Sequence, residues 1–477
     1  MSGTTSVTPS IEELRARLTE IEQDHLLRFA DELPPAGLDA LREQIASLDL
    51  ESVPTLVRDY VHSKPSFDPG NATIAPPPGY MRGGDWDIER FRAAGEQLLR
   101  EGKIAAFTVA GGQGSRLGYD GPKGCYPGGA VTGKPLFACL ADWLHAAEDR
   151  YGAPVPWYVM TSPLNHEATV SFFEQHNHFG LSPDNIMFFE QGVLPSFDMT
   201  TGKILLAGKG TVATNPDGHG GSLRALAHSG ALDDMKRRGI EHISYVQIDN
   251  PLARVVDPVF IGLHATAPDS SAEMSTKVVA KTEPGEKVGV VCTVDGKPGV
   301  IEYSDLPEAT AAQRDPDGAL TLRAGNIALH MLACSFVERI TSGDLALPYH
   351  RAEKKVPCVD AETGEPINPA SPNGIKLEMF VFDAIPLCQK SIVYEVERTD
   401  EFAPIKNAEG NDSPASSARI QTERAASWLE ARGIDVPRTT DGSPDCVLEI
   451  GPRTATRAEE LDPSSIGSIE PGEKRVI

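Results

Sequence analysis

The chain has 477 residues, with 44 Lys+Arg against 68 Asp+Glu and a formal charge of −24 at pH 7. An acidic excess of this size argues against non-specific binding to nucleic acid or to an anionic membrane, both of which need a basic field. At about 100–200 residues per domain the length implies about two to four domains, and 40% apolar with 23% charged residues is ordinary for a chain that buries a core.

The first residues carry no basic segment followed by an apolar one, so a signal peptide is not expected. No run of about 18 apolar residues exists, so no spanning helix is expected either. The seven cysteines are scattered, odd in number and contain no C-x-x-C pair. That usage predicts reduced thiols, a cytoplasmic setting and no structural zinc.

In chain order, Ser10-Ile-Glu-Glu13 forms a capping box that predicts a helix running to about Ala30. A second helix is expected over Leu38–Leu48, and the Pro- and Gly-rich stretch from Ser63 to Asp85 reads as a connector. From Asp87 onward short apolar runs alternate with helical periods. Strands are predicted at Ile104–Ala110, Trp157–Thr161, Ile186–Phe189 and Ile243–Ile248, with helices at Leu136–Asp149, Glu167–His176 and Leu223–Arg238. Pro135 is expected at the first position of its helix. This alternation predicts an α/β fold with a mixed, mainly parallel Rossmann-like sheet flanked by helices. Ligands in such sheets sit beyond the carboxyl ends of the strands, so the loops after Ala110, Thr161, Phe189 and Ile248 are the places to look. Lys277–Tyr303 reads as antiparallel hairpins, with turns at Pro284-Gly285 and Asp295-Gly296. A helix over Ser417–Arg432 and short strands near Cys446–Ile450 suggest a small C-terminal domain. The expected division is 1–85 for a helical segment and linker, 86–400 for the main domain and 401–477 for the C-terminal one.

The strongest signal is Phe107-Thr-Val-Ala-Gly-Gly-Gln-Gly-Ser-Arg-Leu-Gly-Tyr-Asp-Gly-Pro-Lys123, an apolar strand running into glycines and two cations. Glycines let backbone N–H groups approach phosphate oxygens, and Arg116 and Lys123 would add fixed charge to the same oxygens. The dinucleotide fingerprint fails at Leu117, where a glycine is required. A near P-loop at Gly128–Lys134 fails at Pro135 and has no preceding strand. His166, His176 and His178 read as helix surface rather than a metal set. Asp315-Pro-Asp317 has the letters of a glycosyltransferase Asp-x-Asp but precedes Gly318 in a turn. Lys103, Arg116, Lys123 and Lys134 against Asp120 alone give residues 103–135 a local charge of +3.

The glycine loop resembles the signature of nucleotide-sugar pyrophosphorylases, in particular the eukaryotic-type UDP-N-acetylglucosamine pyrophosphorylase family. Phe189-Glu-Gln191, Pro216-Asp-Gly-His-Gly-Gly221, Ile248-Asp-Asn250, Val300-Ile-Glu-Tyr-Ser304, Ala324-Gly-Asn326, Lys354-Lys-Val-Pro357, Pro372-Asn-Gly-Ile-Lys376 and Pro404-Ile-Lys-Asn407 look like blocks of that family in its order. The resemblance covers roughly residues 90–410. It implies a GT-A-like nucleotidyltransferase fold and a reaction in which UTP and a sugar 1-phosphate give a UDP-sugar and pyrophosphate, with Mg²⁺. Two polyanions must meet there, so the protein's work is positioning and charge neutralisation.

By the same resemblance, Val109, Ala110, Gly111 and Gly112 would hold the nucleotide through backbone groups, and Arg116 and Lys123 would face the β,γ-phosphates. Gln191 and Gly218 would read the uracil edge, and Asp249 would bind Mg²⁺ and phosphate. Lys376 would sit on the UTP phosphates. Glu302, Tyr303 and Asn326 would bind sugar hydroxyls, and Lys406 the sugar's phosphate. His219 departs from the N-acetylglucosamine enzymes, which carry asparagine there, and matches the histidine of UDP-glucose and broad UDP-sugar pyrophosphorylases. N-acetylglucosamine 1-phosphate is the expected substrate, with glucose 1-phosphate next and a non-catalytic nucleotide-sugar sensor as the rival class. No nucleic-acid or membrane partner is expected, and the chain is expected to act as a monomer.

Overall fold

The computed structural model describes residues 8–64, 72–343, 345 and 347–477. Residues 1–7 of the N-terminal sequence and 65–71 of the expected connector therefore lie outside the described residues. The chain groups into two compact units. One comprises Met1–Asp68, Gly192–Gly221 and Leu347–Val381; the other comprises Pro69–Gln191, Ser222–Ala346 and Phe382–Ile477. This grouping differs from three consecutive segments. The N-terminal helices share one hydrophobic core with two later stretches, through Leu194, Phe197, Ile375 and Leu377. The C-terminal residues keep a local core around Trp428, Leu429 and Leu448, yet group with the larger unit.

The larger unit is built on an eleven-stranded sheet. Its main path runs Gly79–Tyr80, Val393–Glu395, Met274–Ala280, Ala324–Ala333, His242–Gln247, Ile104–Val109, Trp157–Thr161 and Ile186–Glu190. Every neighbouring pair on that path is parallel except the two made by Ala324–Ala333. The parallel strands are continuous apolar runs because both faces are covered; Ile104–Phe107 and Trp157–Met160 are fully buried. One layer of cover comes from Leu136–Tyr151, whose Leu136, Phe137, Leu140 and Leu144 pack with Trp157 and Phe173. On another helix pair, Ile88–Arg100 and Pro258–Thr266 approach so closely that side chains are excluded at the crossing. A Cβ on Gly262 would lie 1.8 Å from the Phe91 carbonyl oxygen, and one on Gly95 would lie 1.9 Å from that of Pro258.

Several local expectations change. The first helix is Ile11–Glu20, with the expected capping box, and it ends short of Ala30. Glu22 turns the chain with a φ of 58°, and Gln23 leaves the helical path to accept the Ile204 N–H at 2.8 Å. The second helix is Pro35–Ala46. Leu223–Arg238 is two helices, Gly221–His228 and Ala231–Arg238, because Gly230 adopts a φ of 84° between them. Pro135 is the N-cap of Leu136–Tyr151 rather than its first residue. Of the two expected turns, Asp295-Gly296 makes a hairpin, joining Val290–Val294 to Lys297–Ile301, and Pro284-Gly285 does not; Lys277 lies in a strand of the main sheet.

The smaller unit holds a three-stranded sheet in which Gly374–Met379 pairs antiparallel with Tyr349–Lys354 and with Phe197–Asp198. Among the described residues, no helix is long and apolar enough to cross a membrane.

Gly262→Ala should destabilise the larger unit by about 1–3 kcal/mol, the scale of overpacking a closed contact. Urea unfolding checks this. An unchanged midpoint would show that the helix pair can separate at no cost.

Candidate functional site

The central strand Ile104–Val109 ends between two parallel neighbours, and the glycine loop starts where their hydrogen bonds stop. Ala110 N–H still donates to the Met160 carbonyl at 2.7 Å, and Ile248 N–H to that of Val109 at 3.2 Å. Beyond this point side chains from the loop after Trp157–Thr161 take over. Asn165 Nδ2 donates to the carbonyls of Ala110 at 3.0 Å and Gly112 at 3.2 Å, and Ser162 Oγ to that of Gly111 at 2.9 Å. With those carbonyls engaged, the N–H groups of Gly111 and Gly112 donate to no acceptor among the described residues. They form the pair of unsatisfied donors that an anion would meet.

Each glycine has its own reason. A Cβ on Gly111 would fall 2.1 Å from Gln191 Oε1, so the buried Gln191 amide lies directly on the loop backbone. Gly112 faces open space, with nothing within 4 Å of a built Cβ.

The loop then folds back on itself: Lys123 N–H donates to the Gly112 carbonyl at 3.0 Å and Gly114 N–H to that of Gly121 at 2.9 Å. That return brings Lys123 near the strand ends. Burial holds its ammonium below the ordinary lysine range; the Asp249 carboxylate opposes this, and Lys406 and Arg116 add to it. Arg116, Lys406 and Asp249, drawn from three separate stretches, are thus all electrostatic neighbours of Lys123. Asp249 follows His242–Gln247, and its carbonyl accepts the Ile405 N–H at 2.7 Å. Its carboxylate accepts no hydrogen bond among the described residues, which leaves a hard oxygen donor available near the Lys123 ammonium. Among the described residues Lys406 makes only a loose ion pair, 3.9 Å from Asp412.

The local +3 resolves differently. Lys103 pairs with Glu241 at 2.7 Å, and Lys134 with Asp142 at 2.6 Å and Glu449 at 3.2 Å, so neither contributes free charge to the loop. The Gly128–Lys134 segment nevertheless binds an anion of its own. The Glu449 carboxylate accepts from the N–H groups of Val131 and Thr132, both at 2.8 Å, and from Thr132 Oγ1 at 2.9 Å. Gln421 Nε2 adds a bond to the Gly128 carbonyl at 2.8 Å.

The residues expected on the sugar also gather within the larger unit. Asn326 N–H donates to the Gly289 carbonyl at 2.8 Å, and a Cβ on Gly289 would lie 3.1 Å from Glu302 Oε1. Asn326 Oδ1 accepts the Ala328 N–H at 2.9 Å across an irregularity in the strand. Tyr303 is 46% exposed.

In the smaller unit, the Pro216–Gly221 loop is threaded along the end of Gly374–Met379. Gly220 N–H donates to the Met379 carbonyl at 2.7 Å, and Met379 N–H to that of Asp217 at 2.8 Å. Gly218 has a φ of 84°, and a Cβ there would meet the Met379 carbonyl oxygen at 2.4 Å. His219 Nδ1 accepts the Val381 N–H at 3.1 Å, which puts the neutral ring's proton on Nε2. The ring lies 5.0 Å from that of Phe380 and nearly parallel to it, and burial takes its pKa down to about 4. Lys376 shares a strand face with Glu378, whose Cβ borders Gly218.

The three histidines of the helix region do not cluster. His166 Nδ1 is bonded to Thr161 Oγ1 at 2.7 Å and His176 Nδ1 to the Phe172 carbonyl at 2.8 Å. Among the described residues, no group of three or more His, Cys, Asp or Glu side chains could hold a metal ion. Asp315-Pro-Asp317 is a turn, closed by Gly318 N–H to the Asp315 carbonyl at 2.9 Å. Sequence reading passed over Ser162 and Asn165, although the loop that carries them was marked by its place after a strand.

The sequence model of the UTP–glucose-1-phosphate uridylyltransferase family matches residues 74–412. The chain belongs to this family. Its members are uridylyltransferases that form a UDP-sugar and pyrophosphate. The chain is 40% identical over 376 residues to the UDP-N-acetylglucosamine pyrophosphorylase of Saccharomyces cerevisiae, covering 77% of each protein. It is 38% identical over 483 residues to UDP-N-acetylhexosamine pyrophosphorylase-like protein 1 of Homo sapiens, covering 95% of this chain and 94% of that one. The crystal structure of the Trypanosoma brucei uridine diphosphate N-acetylglucosamine pyrophosphorylase in complex with inhibitor superposes with a TM-score of 0.79 at 28% identity, covering 96% of each chain. The mixed, mostly parallel sheet flanked by helices is thus the nucleotidyltransferase fold of these uridylyltransferases.

His219 generates a pH prediction. Its folded pKa of about 4 lies below the ordinary value of 6.5, so the unfolded chain takes up that proton first as pH falls. The stability it contributes is present above pH 6.5 and is lost as pH drops toward 4. His219→Gln should flatten the stability profile in that window, read by urea unfolding at stepped pH. An unchanged slope would show the ring to be accessible to protons in the fold.

Proposed function

We propose that the chain transfers the uridylyl group of UTP to N-acetylglucosamine 1-phosphate, releasing pyrophosphate. The observation that carries this reading is the surroundings of Lys123, where Asp249, Lys406 and Arg116 all act on its ammonium while its N–H is bonded to the Gly112 carbonyl of the loop whose Gly111 and Gly112 amides are unengaged. A sugar-phosphate oxygen attacks the α-phosphorus in line with the departing pyrophosphate, so no side-chain nucleophile is needed.

In this reading the Gly111 and Gly112 amides cradle the triphosphate, and Gln191 hydrogen-bonds the uracil edge together with Gly218. Arg116 and Lys123 neutralise the β,γ-phosphates and the leaving group, Lys376 acts on the UTP phosphates, and Lys406 holds the sugar's phosphate. Glu302, Tyr303 and Asn326 bind sugar hydroxyls. Asp249 fits a Mg²⁺ ion, since its carboxylate is a hard oxygen donor with no competing hydrogen bond, and Mg²⁺ commonly takes one or two carboxylates and completes its shell with phosphates and water. When bound, the ion supplies charge neutralisation on the phosphate oxygens. The enzyme is read as a cytoplasmic monomer.

His219 favours a second reading, with glucose 1-phosphate as acceptor, because the related glucose enzymes carry histidine in this turn. The decisive measurement is pyrophosphate release from UTP with a panel of sugar 1-phosphates. N-acetylglucosamine 1-phosphate should give the highest kcat/KM, a glucose optimum would favour the second reading, and no release with any sugar would favour binding without turnover. His219→Asn should move the ratio of the two sugars if this position senses the C2 substituent.

Lys123→Ala and Lys376→Ala should each lower turnover by about 10²–10³, the scale of removing one preorganised charge-stabilising group. Turnover within about threefold of the unsubstituted enzyme, on that same scale, would remove both lysines from the reaction.

A further inference from the structure

The segment that carries Lys406 has no regular secondary structure from Phe402 to Lys406, yet it is held at nearly every residue. Asn250, buried and adjacent to Asp249, donates from Nδ2 to the Glu401 carbonyl at 2.6 Å and accepts the Ala403 N–H on Oδ1 at 3.1 Å. Its Oδ1 also accepts the Leu252 N–H at 3.2 Å, which fixes the carboxamide's orientation. Two residues further on, Ile405 N–H donates to the Asp249 carbonyl at 2.7 Å, and Ser417 Oγ donates to the Ala403 carbonyl at 2.7 Å.

Behind this segment lies a buried ionic cluster outside the substrate contacts proposed above. The Lys277 ammonium, fully buried between the rings of Phe260 and Tyr394, is 2.6 Å from Glu401 Oε2 and 2.5 Å from Asp257 Oδ2. Arg254 Nε is 3.4 Å from the other Glu401 oxygen. Burying such charges carries a desolvation cost that a well-packed apolar cluster avoids, so stability alone does not explain them. What the cluster does supply is direction: it fixes the Glu401 side chain while Asn250 fixes the Glu401 and Ala403 backbone.

We propose that Asn250, backed by Lys277, is a positioning residue for sugar-phosphate binding that acts through Lys406 without touching substrate. The Asp249-Asn250 dipeptide then links the two halves of the reaction. Asp249 presents its carboxylate to the phosphate side, and the neighbouring Asn250 sets the register of the segment from which Lys406 reaches the same place. This inference rests on the assignment of Lys406 to the sugar's phosphate.

The test is a double-mutant cycle on the full-length enzyme with Asn250→Ala, Lys406→Ala and the pair, reading kcat and the KM values for UTP and N-acetylglucosamine 1-phosphate separately. Asn250→Ala should raise the sugar-phosphate KM about tenfold, with the UTP KM held within about twofold. In the Lys406→Ala background the same substitution should change the sugar-phosphate KM by less than about twofold, because the group it positions is gone. Fold-changes that multiply across the pair would overturn the positioning role while leaving Lys406 in place. An unchanged sugar-phosphate KM in Lys406→Ala alone would overturn the assignment of Lys406, and the proposal with it. Should Asn250→Ala fail to fold, the cycle is run with Ser417→Ala, which releases the Ala403 carbonyl by a milder change and should show the same non-additivity.

Discussion

The carboxamide of Asn165 decides which way the glycine loop faces. By holding the carbonyls of Ala110 and Gly112, with Ser162 on that of Gly111, it turns the oxygen side of the backbone toward the protein. A peptide plane cannot point both its oxygen and its hydrogen inward, so the amides of Gly111 and Gly112 must face out. An anion site follows from that one constraint. The glycines permit the path, but the two side chains after Trp157–Thr161 choose its polarity.

Charge is then distributed by pairing rather than by sequence proximity. Lys103 and Lys134 lie close to the loop in the chain, yet each is bound to acids. Lys406 comes from far along the chain and remains only loosely paired. An acidic protein can thus serve anionic substrates by leaving a few cations incompletely neutralised in one neighbourhood. Exposed acids more than about 10 Å from the site are screened and do not oppose binding there.

Much of this was legible in the sequence. The buried strands Ile104–Val109 and Trp157–Thr161 were visible as apolar runs of strand length, and the glycine loop as a strand followed by Gly111, Gly112 and Gly114. Leu223–Arg238 reads as one helix because Gly230 is tolerated in a helical pattern, and only its positive φ shows the break. The grouping of the N-terminal helices with Gly192–Gly221 and Leu347–Val381 was not legible, since hydrophobic periodicity shows that a face is buried and not what covers it. The same limit hid Asn165, Asn250 and Lys277. A buried polar residue has no period, and its meaning appears only when its partners, distant in sequence, are placed around it.

The seat of Glu449 in the Val131–Thr132 amides has a consequence in time. Those partners are 318 and 317 residues apart along the chain, as are Gln421 and Gly128 over 293. During synthesis the strands that flank the glycine loop emerge early and can pair at once. The Gly128–Lys134 turn must wait, its donors bare, for a strand made 317 residues after Thr132, so it takes its final shape later than the strands around the glycine loop.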